Sequence, residues 1–247
     1  MRIRQLVLVA QERDQVVGAL CDVFNLEVAF YDPGIIHFGL ENAVIPVGDT
    51  FLEVVSPVQE NTTAGRYLQK RKGNGGYMVI VQTEDLDKEK KRVESEGIKI
   101  IWEADRKEEE VHARGIHLHP KEIGAILSID TMDPPSSWLW ASTNWKKKVN
   151  TEVSNCLNGV HLQSKDPEVM MKKWEKALDK KGIYTNNQFI INLNESRVVF
   201  VEDLDGRGDG IESVSYTHLR AHETEAELGC RLLREKKRGG GGGGGGG

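Results

Sequence analysis

Cysteine is scarce: the 247 residues hold three, Cys21, Cys156 and Cys230. They form neither a short metal-type spacing nor an even-numbered framework, which excludes a disulfide-stapled secreted scaffold and a cysteine zinc site. Long hydrophobic runs are missing too. No apolar stretch approaches the roughly 20 residues a membrane helix needs, and Met1-Arg2-Ile3-Arg4 runs straight into an alternating strand pattern without a signal-peptide core. Charge of one sign is also lacking, since 33 Lys and Arg against 38 Asp and Glu leave a net charge of −5, too mild to imply nucleic acid or an anionic membrane as partner. Gly73-Asn74-Gly75-Gly76 is followed by no Lys-Ser or Lys-Thr and no helix start, so it is no phosphate loop. These absences lead to the expectation of a cytoplasmic protein with no nucleic-acid or membrane partner.

What is present is a repeat. Arg4 to Val9 reads as a strand, and Val16, Leu20, Val23 and Phe24 fall at helical spacing behind it. Leu26 to Tyr31, His37 to Val47 and Phe51 to Val55 follow as strands, broken by the turn chemistry of Asp32-Pro33-Gly34 and Gly48-Asp49-Thr50. The order is βαβββ. It returns as Met78 to Val81, a helix entered at Asp85-Leu86-Asp87 and closed near Gly97, then Ile98 to Trp102, Gly115 to His119 and Ala125 to Asp130. Leu6-Val7-Leu8-Val9 matches Met78-Val79-Ile80-Val81 at an offset of 72 residues. The modules, 1–60 and 74–131, make one domain at 1–132 with Gly73 to Gly76 between them.

Asp133-Pro134-Pro135-Ser136-Ser137 opens a linker at 133–149 that carries Trp138, Trp140 and Trp145, rings that either anchor the linker on a sheet or stack on a ligand. A third module begins at Leu157 to Leu162, with Asp166-Pro167 as cap and first turn of a helix whose apolar stripe is Met170, Trp174, Ala177 and Leu178. Strands follow at Phe189 to Leu193 and Val198 to Glu202. The stretch 150–212 is thus a partial second domain holding an unpaired third module, and a fourth should start near Gly210. There the text changes. Ser213 to Thr224 resembles the translation of a transposase-type sequencing adaptor, and nine glycines end the chain. Residues 213–247 are therefore read as an artefactual, disordered tail in which no strand completes the third module.

The repeat, Gln5-Leu6-Val7-Leu8-Val9 with its helix, Phe51-Leu52-Glu53-Val54-Val55-Ser56-Pro57, Asp85-Leu86-Asp87 and His119-Pro120-Lys121-Glu122-Ile123-Gly124 together resemble the vicinal-oxygen-chelate superfamily. It includes glyoxalase-like proteins, extradiol dioxygenases and bleomycin-resistance proteins. The resemblance covers residues 1 to about 131 clearly and 150–212 more weakly. It implies an α+β fold in which paired βαβββ modules curl into an open cup, and a small-molecule substrate or ligand in that cup. It also implies a divalent metal held by one residue near the start and one near the end of each module. The implied activity is that of a lyase, isomerase or dioxygenase; the alternative is a non-catalytic sequestering protein of the bleomycin-resistance type. An uncovered third module adds the expectation of a homodimer.

On that pattern Gln5 takes the first ligand position and Glu53 the closing acid of module one, as metal ligand or as general base. The second module is poorer. The offset of 72 sets Tyr77 opposite Gln5, counting back from Asp85 sets Met78 there, and the closing acid falls on Ser128 or Ile129. Asp130 stands one residue off and is assigned to the opposite face if Ser128 points inward. His117 and His119, two apart on a strand, share a face and are the candidate replacement ligands. His37, Phe38, Tyr77 and Trp102 are the expected pocket residues. Glu53 sits in an apolar strand, where a carboxylate needs a metal, a cation such as Arg4 or Arg66, or several donors. His112 lies in a charged run and reads as solvated, and His161 falls in the truncated module.

Overall fold

The computed structural model describes residues 1–218 and 224–229. The terminal glycines and Cys230 lie outside the described residues. Seven strands form the first sheet: β1 (Arg2–Val9), β2 (Leu40–Val47), β3 (Thr50–Pro57), β4 (Gly75–Gln82), β5 (Ile100–Glu108), β6 (Val111–Leu118) and β7 (Ile126–Asp133). Their order is β2-β3-β1-β4-β7-β6-β5. The helices of this half are α1 (Arg13–Phe24), α2 (Thr63–Arg71), α3 (Leu86–Ser95) and the single turn α4 (Pro120–Ile123). Central β1 and β4 pair antiparallel, and each pairs parallel with the last strand of its own module, β3 and β7. The sheet is the curled half-barrel of the vicinal-oxygen-chelate fold.

Strand alternation divides the apolar residues between the two faces of this sheet. Leu6 and Leu8 of β1, Leu52 and Val54 of β3, Val79 and Val81 of β4, and Leu127 and Ile129 of β7 pack with the α1 stripe and with Leu86 and Val93 of α3 on the convex side. Each fully buried Leu or Ile there contributes about 1.5–3 kcal/mol. Val7, Val9, Phe51, Val55, Met78 and Ile80 point to the concave side. One bulge adjusts this parity: Ile3 pairs with Val81 and Gln5 with Ile80, leaving Arg4 as the extra residue. A bulge re-aims side chains. Here Arg4 lies within 6.0 Å of the rings of Phe51, Trp138 and Trp145, buried beneath the cup and paired with Asp49 at 3.1 Å.

The first module departs from the expected order. Leu26 to Tyr31 forms no strand beyond a bridge from Phe30 to Val44, and Pro33–Phe38 is a 3-10 helix rather than the start of a strand. The causes are local. Asp32 caps the turn by accepting from Gly34 N, Pro33 fixes the first position, and Gly39 in the left-handed region ends it. A short helix, α2, stands where only a linker was expected; it buries Ala64, Leu68 and Arg71.

The second sheet, ordered β13-β12-β8-β11-β10-β9, contains β8 (Ser154–Ser164), β9 (Gly182–Thr185), β10 (Gln188–Leu193), β11 (Ser196–Glu202), β12 (Gly210–His218) and β13 (Thr224–Gly229). Its helix, α5 (Pro167–Leu178), has Asp166 accepting from Val169 N and buries Met170, Trp174, Ala177 and Leu178. The expectation that no strand follows Gly210 is overturned. β12 pairs antiparallel with β8 as β4 does with β1, and Ile211 and Val214 join the shared apolar core while small Ser213 and Ser215 are buried without bulk. Hydrogen bonds on both sides tie the halves together, from Ile3 N to Ser196 and from Leu157 N to Thr50 among them. Trp174 Nε1 donates to Ile123 O at 2.7 Å, and the buried Arg71 of α2 donates to the carbonyls of Arg207 and Gly208 at 3.0 and 2.5 Å.

Candidate functional site

The concave face of the first sheet bounds a cavity of about 750 Å³. Gln5 on β1 and Glu53 on β3 meet there: Gln5 Nε2 donates to one carboxylate oxygen of Glu53 at 2.7 Å and Asn42 Nδ2, from β2, donates to the other at 2.7 Å. Neither Arg4 nor Arg66 pairs with Glu53; amide donors satisfy it. Both amides are locked in orientation by their own oxygens. Gln5 Oε1 accepts from the indole N–H of Trp138 at 2.6 Å, and Asn42 Oδ1 accepts from the backbone N–H of Asp32 at 2.8 Å. An indole nitrogen and a peptide nitrogen donate and never accept, so neither amide can turn over. Burial pushes the Glu53 carboxyl above its ordinary range, and the Asn42 and Gln5 donors pull it back down. Because both of its neighbours donate, the anion is the form that matches this pair of hydrogen bonds.

The assignment of Asp130 to the opposite face is corrected. Ser128 and Asp130 are two apart on β7, so alternation puts them on the same side, and Asp130 lines the cavity. Its carboxyl contacts the Ser128 hydroxyl through one oxygen and accepts from Trp140 Nε1 at 2.6 Å through the other. Gly115 on β6 makes the room, since a Cβ there would stand 2.6 Å from Asp130 Oδ1. Ser128 Oγ also lies 3.2 Å from Ile116 O, an acceptor only. One hydroxyl proton cannot serve both contacts. With Asp130 protonated, its O–H donates to Ser128 Oγ and the serine donates to Ile116 O; with Asp130 ionised, the serine proton turns to the carboxylate. Burial raises this carboxyl to about 7, against the smaller pull of Ser128 and Trp140. The two acids therefore sit in opposite settings, one held by fixed donors and one beside a hydroxyl able to accept.

The remaining candidates separate. His37, Phe38, Tyr77, Trp102 and His117 all line the cavity. Burial pulls His117 down to about 4, leaving a neutral ring tilted against Trp102 with centroids 4.6 Å apart, and pushes the Tyr77 hydroxyl up to about 12. His119 does not share the face of His117. β6 ends at Leu118, alternation ends with it, and the His119 ring instead accepts from Lys121 N to cap α4. His112 pairs with Asp105 at 2.8 Å on the outer side.

These residues do not fit a divalent cation. Gln5 Oε1, the oxygen an ion would need, faces the Trp138 N–H, and the amide that neighbours Glu53 on each side turns its N–H groups, not its oxygen, inward. His117 stands three strands from Gln5, through Ile80 and Ser128, about 14 Å along the sheet. Among the described residues no group of three or more His, Cys, Asp or Glu is placed to hold a metal.

The glyoxalase-like domain family matches residues 28–178, more than half of the chain. The chain belongs to that family. It is thereby a member of the vicinal-oxygen-chelate superfamily and a small-molecule enzyme or binder. No curated protein matches it. A hypothetical protein from Staphylococcus aureus, 13% identical, aligns over 90% of this chain and 92% of its own with a TM-score of 0.67, which shows that the whole two-sheet fold recurs. Methylmalonyl-CoA epimerase of Streptomyces coelicolor, in complex with 2-nitronate-propionyl-CoA, is 21% identical over 53% of this chain and 96% of its own, with a TM-score of 0.47. The Mycobacterium tuberculosis epimerase is 19% identical over 53% of this chain and 87% of its own, with a TM-score of 0.46.

Proposed function

We propose that the chain is an enzyme of the isomerase or lyase type that moves a proton on a small carbonyl compound held in the cup. The observation that carries this reading is the pair of buried carboxyls in one cavity with opposite hydrogen-bond settings, the arrangement that separates a base from an acid. The Glu53 carboxylate, each oxygen engaged by one amide, keeps further lone pairs for a C–H next to the carbonyl. As that bond breaks, its electron pair moves onto the carbonyl oxygen, which takes the proton of Asp130. The new Asp130 anion is stabilised by the Trp140 N–H and by rotation of the Ser128 hydroxyl away from Ile116 O. When Glu53 returns a proton to carbon, the enol O–H gives its proton back to Asp130 as the C=O re-forms, and both groups are restored. General acid–base assistance of this kind contributes about 10²–10⁴-fold in rate, and no step is routed through a metal.

The test is deuterium uptake from D2O into the carbon-bound positions of neutral ketones and esters, chosen from a panel by their quenching of Trp102 and Trp140 fluorescence. Exchange that survives EDTA and falls at least 100-fold in Glu53→Gln and in Asp130→Asn is the expected result. Ligands that bind tightly yet never exchange would replace this reading with sequestration of the bleomycin-resistance type.

A further inference from the structure

The lining of the cup sorts ligands by charge and shape. Glu53 and Asp130 are the acids whose side chains reach its interior. Glu103 and Asp105, also at its wall, turn outward on β5 to Lys90 at 2.7 Å and to His112 at 2.8 Å. Asp32 stands at the rim, where its carboxylate takes Arg106 Nη1 at 3.1 Å. Arg106 is the cation of the described lining, and carboxylates neutralise it from two sides: its Nη2 goes to Glu108 at 2.7 Å, and its Cζ lies 5.9 Å from the Phe30 ring centre. Arg4 is sealed beneath Trp138. Thr63 and Ala64, at the start of α2, reach the rim, where the Thr62 hydroxyl already accepts from Gly65 N. Arg66 of α2 stands behind Tyr77 and Thr63 and donates to Asn61 O and the Thr63 hydroxyl, so an entering anion meets carboxylates and, among the side chains of the described lining, one cation already paired with two of them.

The apolar part of the wall is a run of touching rings, edge-on from His37 to Trp102 and tilted from Trp102 to His117. His37 and Phe38 are 5.3 Å apart, Phe38 and Trp102 5.2 Å, and Trp102 and His117 4.6 Å. Tyr77 and Trp140 also line the cup. Such faces carry negative quadrupole charge and attract flat rings and cations. We infer that the cup selects flat, ring-bearing ligands that are neutral or cationic, and rejects those that carry a sulfonate, phosphate or carboxylate into it. This rests on the cup being the ligand site, as proposed above, and not on Glu53 acting as a base.

Three probes of one shape and constant charge test it on the full chain at pH 7.5: 2-naphthylmethylammonium, 2-naphthalenemethanol and naphthalene-2-sulfonate. Tryptophan quenching and calorimetry should show the alcohol and the ammonium binding, with the sulfonate at least tenfold weaker than either. Asp130→Asn should narrow the gap between ammonium and sulfonate, and so should wild type at pH 5, where the Asp130 carboxyl is neutral and no probe changes charge. A sulfonate that binds as tightly as the ammonium overturns the inference, as does the failure of all three to bind below millimolar concentration. Charge-selective binding without any proton exchange would sink the catalytic proposal and leave this one standing. Exchange on an anionic ketone would do the reverse.

Discussion

Replacing Glu53 by glutamine is ordinarily a silent change of shape, and here it is expected to be costly. The two amides that face Glu53 both donate, and neither can turn, because Trp138 Nε1 and Asp32 N hold their oxygens. A glutamine at this position offers one oxygen and one NH2, so one of the two contacts becomes a donor facing a donor at 2.7 Å. Leaving a buried donor unsatisfied costs about 1–3 kcal/mol, which for a chain of this size lowers Tm by about 2–12 °C. Relief of the burial penalty on the carboxylate offsets part of that. The decisive comparison is the swap. Asn42→Asp alone sets two carboxylates against each other and is destabilised at neutral pH. Combined with Glu53→Gln it restores the match, since the carboxylate introduced on β2 keeps one oxygen on Asp32 N while its other oxygen accepts from the introduced glutamine NH2. Thermal unfolding of wild type, both singles and the double should return a favourable coupling of at least about 1 kcal/mol in the double-mutant cycle, with exchange activity absent because the carboxylate has moved to β2. Additive losses, or a Glu53→Gln single as stable as wild type, would refute the locked-amide argument.

Two further outcomes follow from the opposed groups on β6 and β7. The unfolded Asp130 loses its proton near pH 4 and the folded one near 7, so between these values the folded state binds more protons and stability falls as pH rises, by about 4 kcal/mol at most. His117, held neutral down to about pH 4, has the opposite sign below its ordinary pKa of about 6.5. Glu53, also raised by burial, adds to the fall, so denaturant titrations should show Asp130→Asn gaining stability relative to wild type as pH rises from 4 to 7 and exceeding it at pH 8; parallel profiles would dismiss the shift. Gly115→Ala brings a methyl group to 2.6 Å from the Asp130 carboxyl and should cost about 1–3 kcal/mol, a cost that should vanish in an Asp130→Ala background if the clash is with that side chain.

Where one face of a strand is apolar, alternation alone places Gln5, Glu53 and His117 on their strands, and the helix stripe with its Asp166-Pro167 start lies where its spacing puts it. Other features depend on contacts that no local pattern carries. Leu26 to Tyr31 has strand composition, but the Pro33 turn removes its partner ladder. The helix from Thr63 to Arg71 hides because its third buried position is an arginine bonded to carbonyls more than a hundred residues away. The face of Asp130 is legible in the sequence, because a spacing of two from Ser128 sets both on one side of β7. The strand from Gly210 to His218 is masked by the adaptor-like look of its text, although buried Ile211 and Val214 with the small Ser213 and Ser215 suit an inner strand.

The domain boundary expected at residue 132 cuts through the site. Trp138 and Trp140 belong to the stretch read as a linker, yet they supply the N–H groups that hold Gln5 and Asp130. Without them Gln5 Oε1 would lose the donor that fixes its amide toward Glu53, and Asp130 would lose the donor that stabilises its ionised form. Four N–H groups, from Gln5, Asn42, Trp138 and Trp140, are aimed at oxygen atoms in or beneath the cup. A site that binds a divalent ion presents oxygens and ring nitrogens inward as acceptors; this one surrounds its own acceptors with donors. The half-barrel thus holds two buried carboxyls in different hydrogen-bond settings, and the tryptophans after the last strand of the sheet complete both.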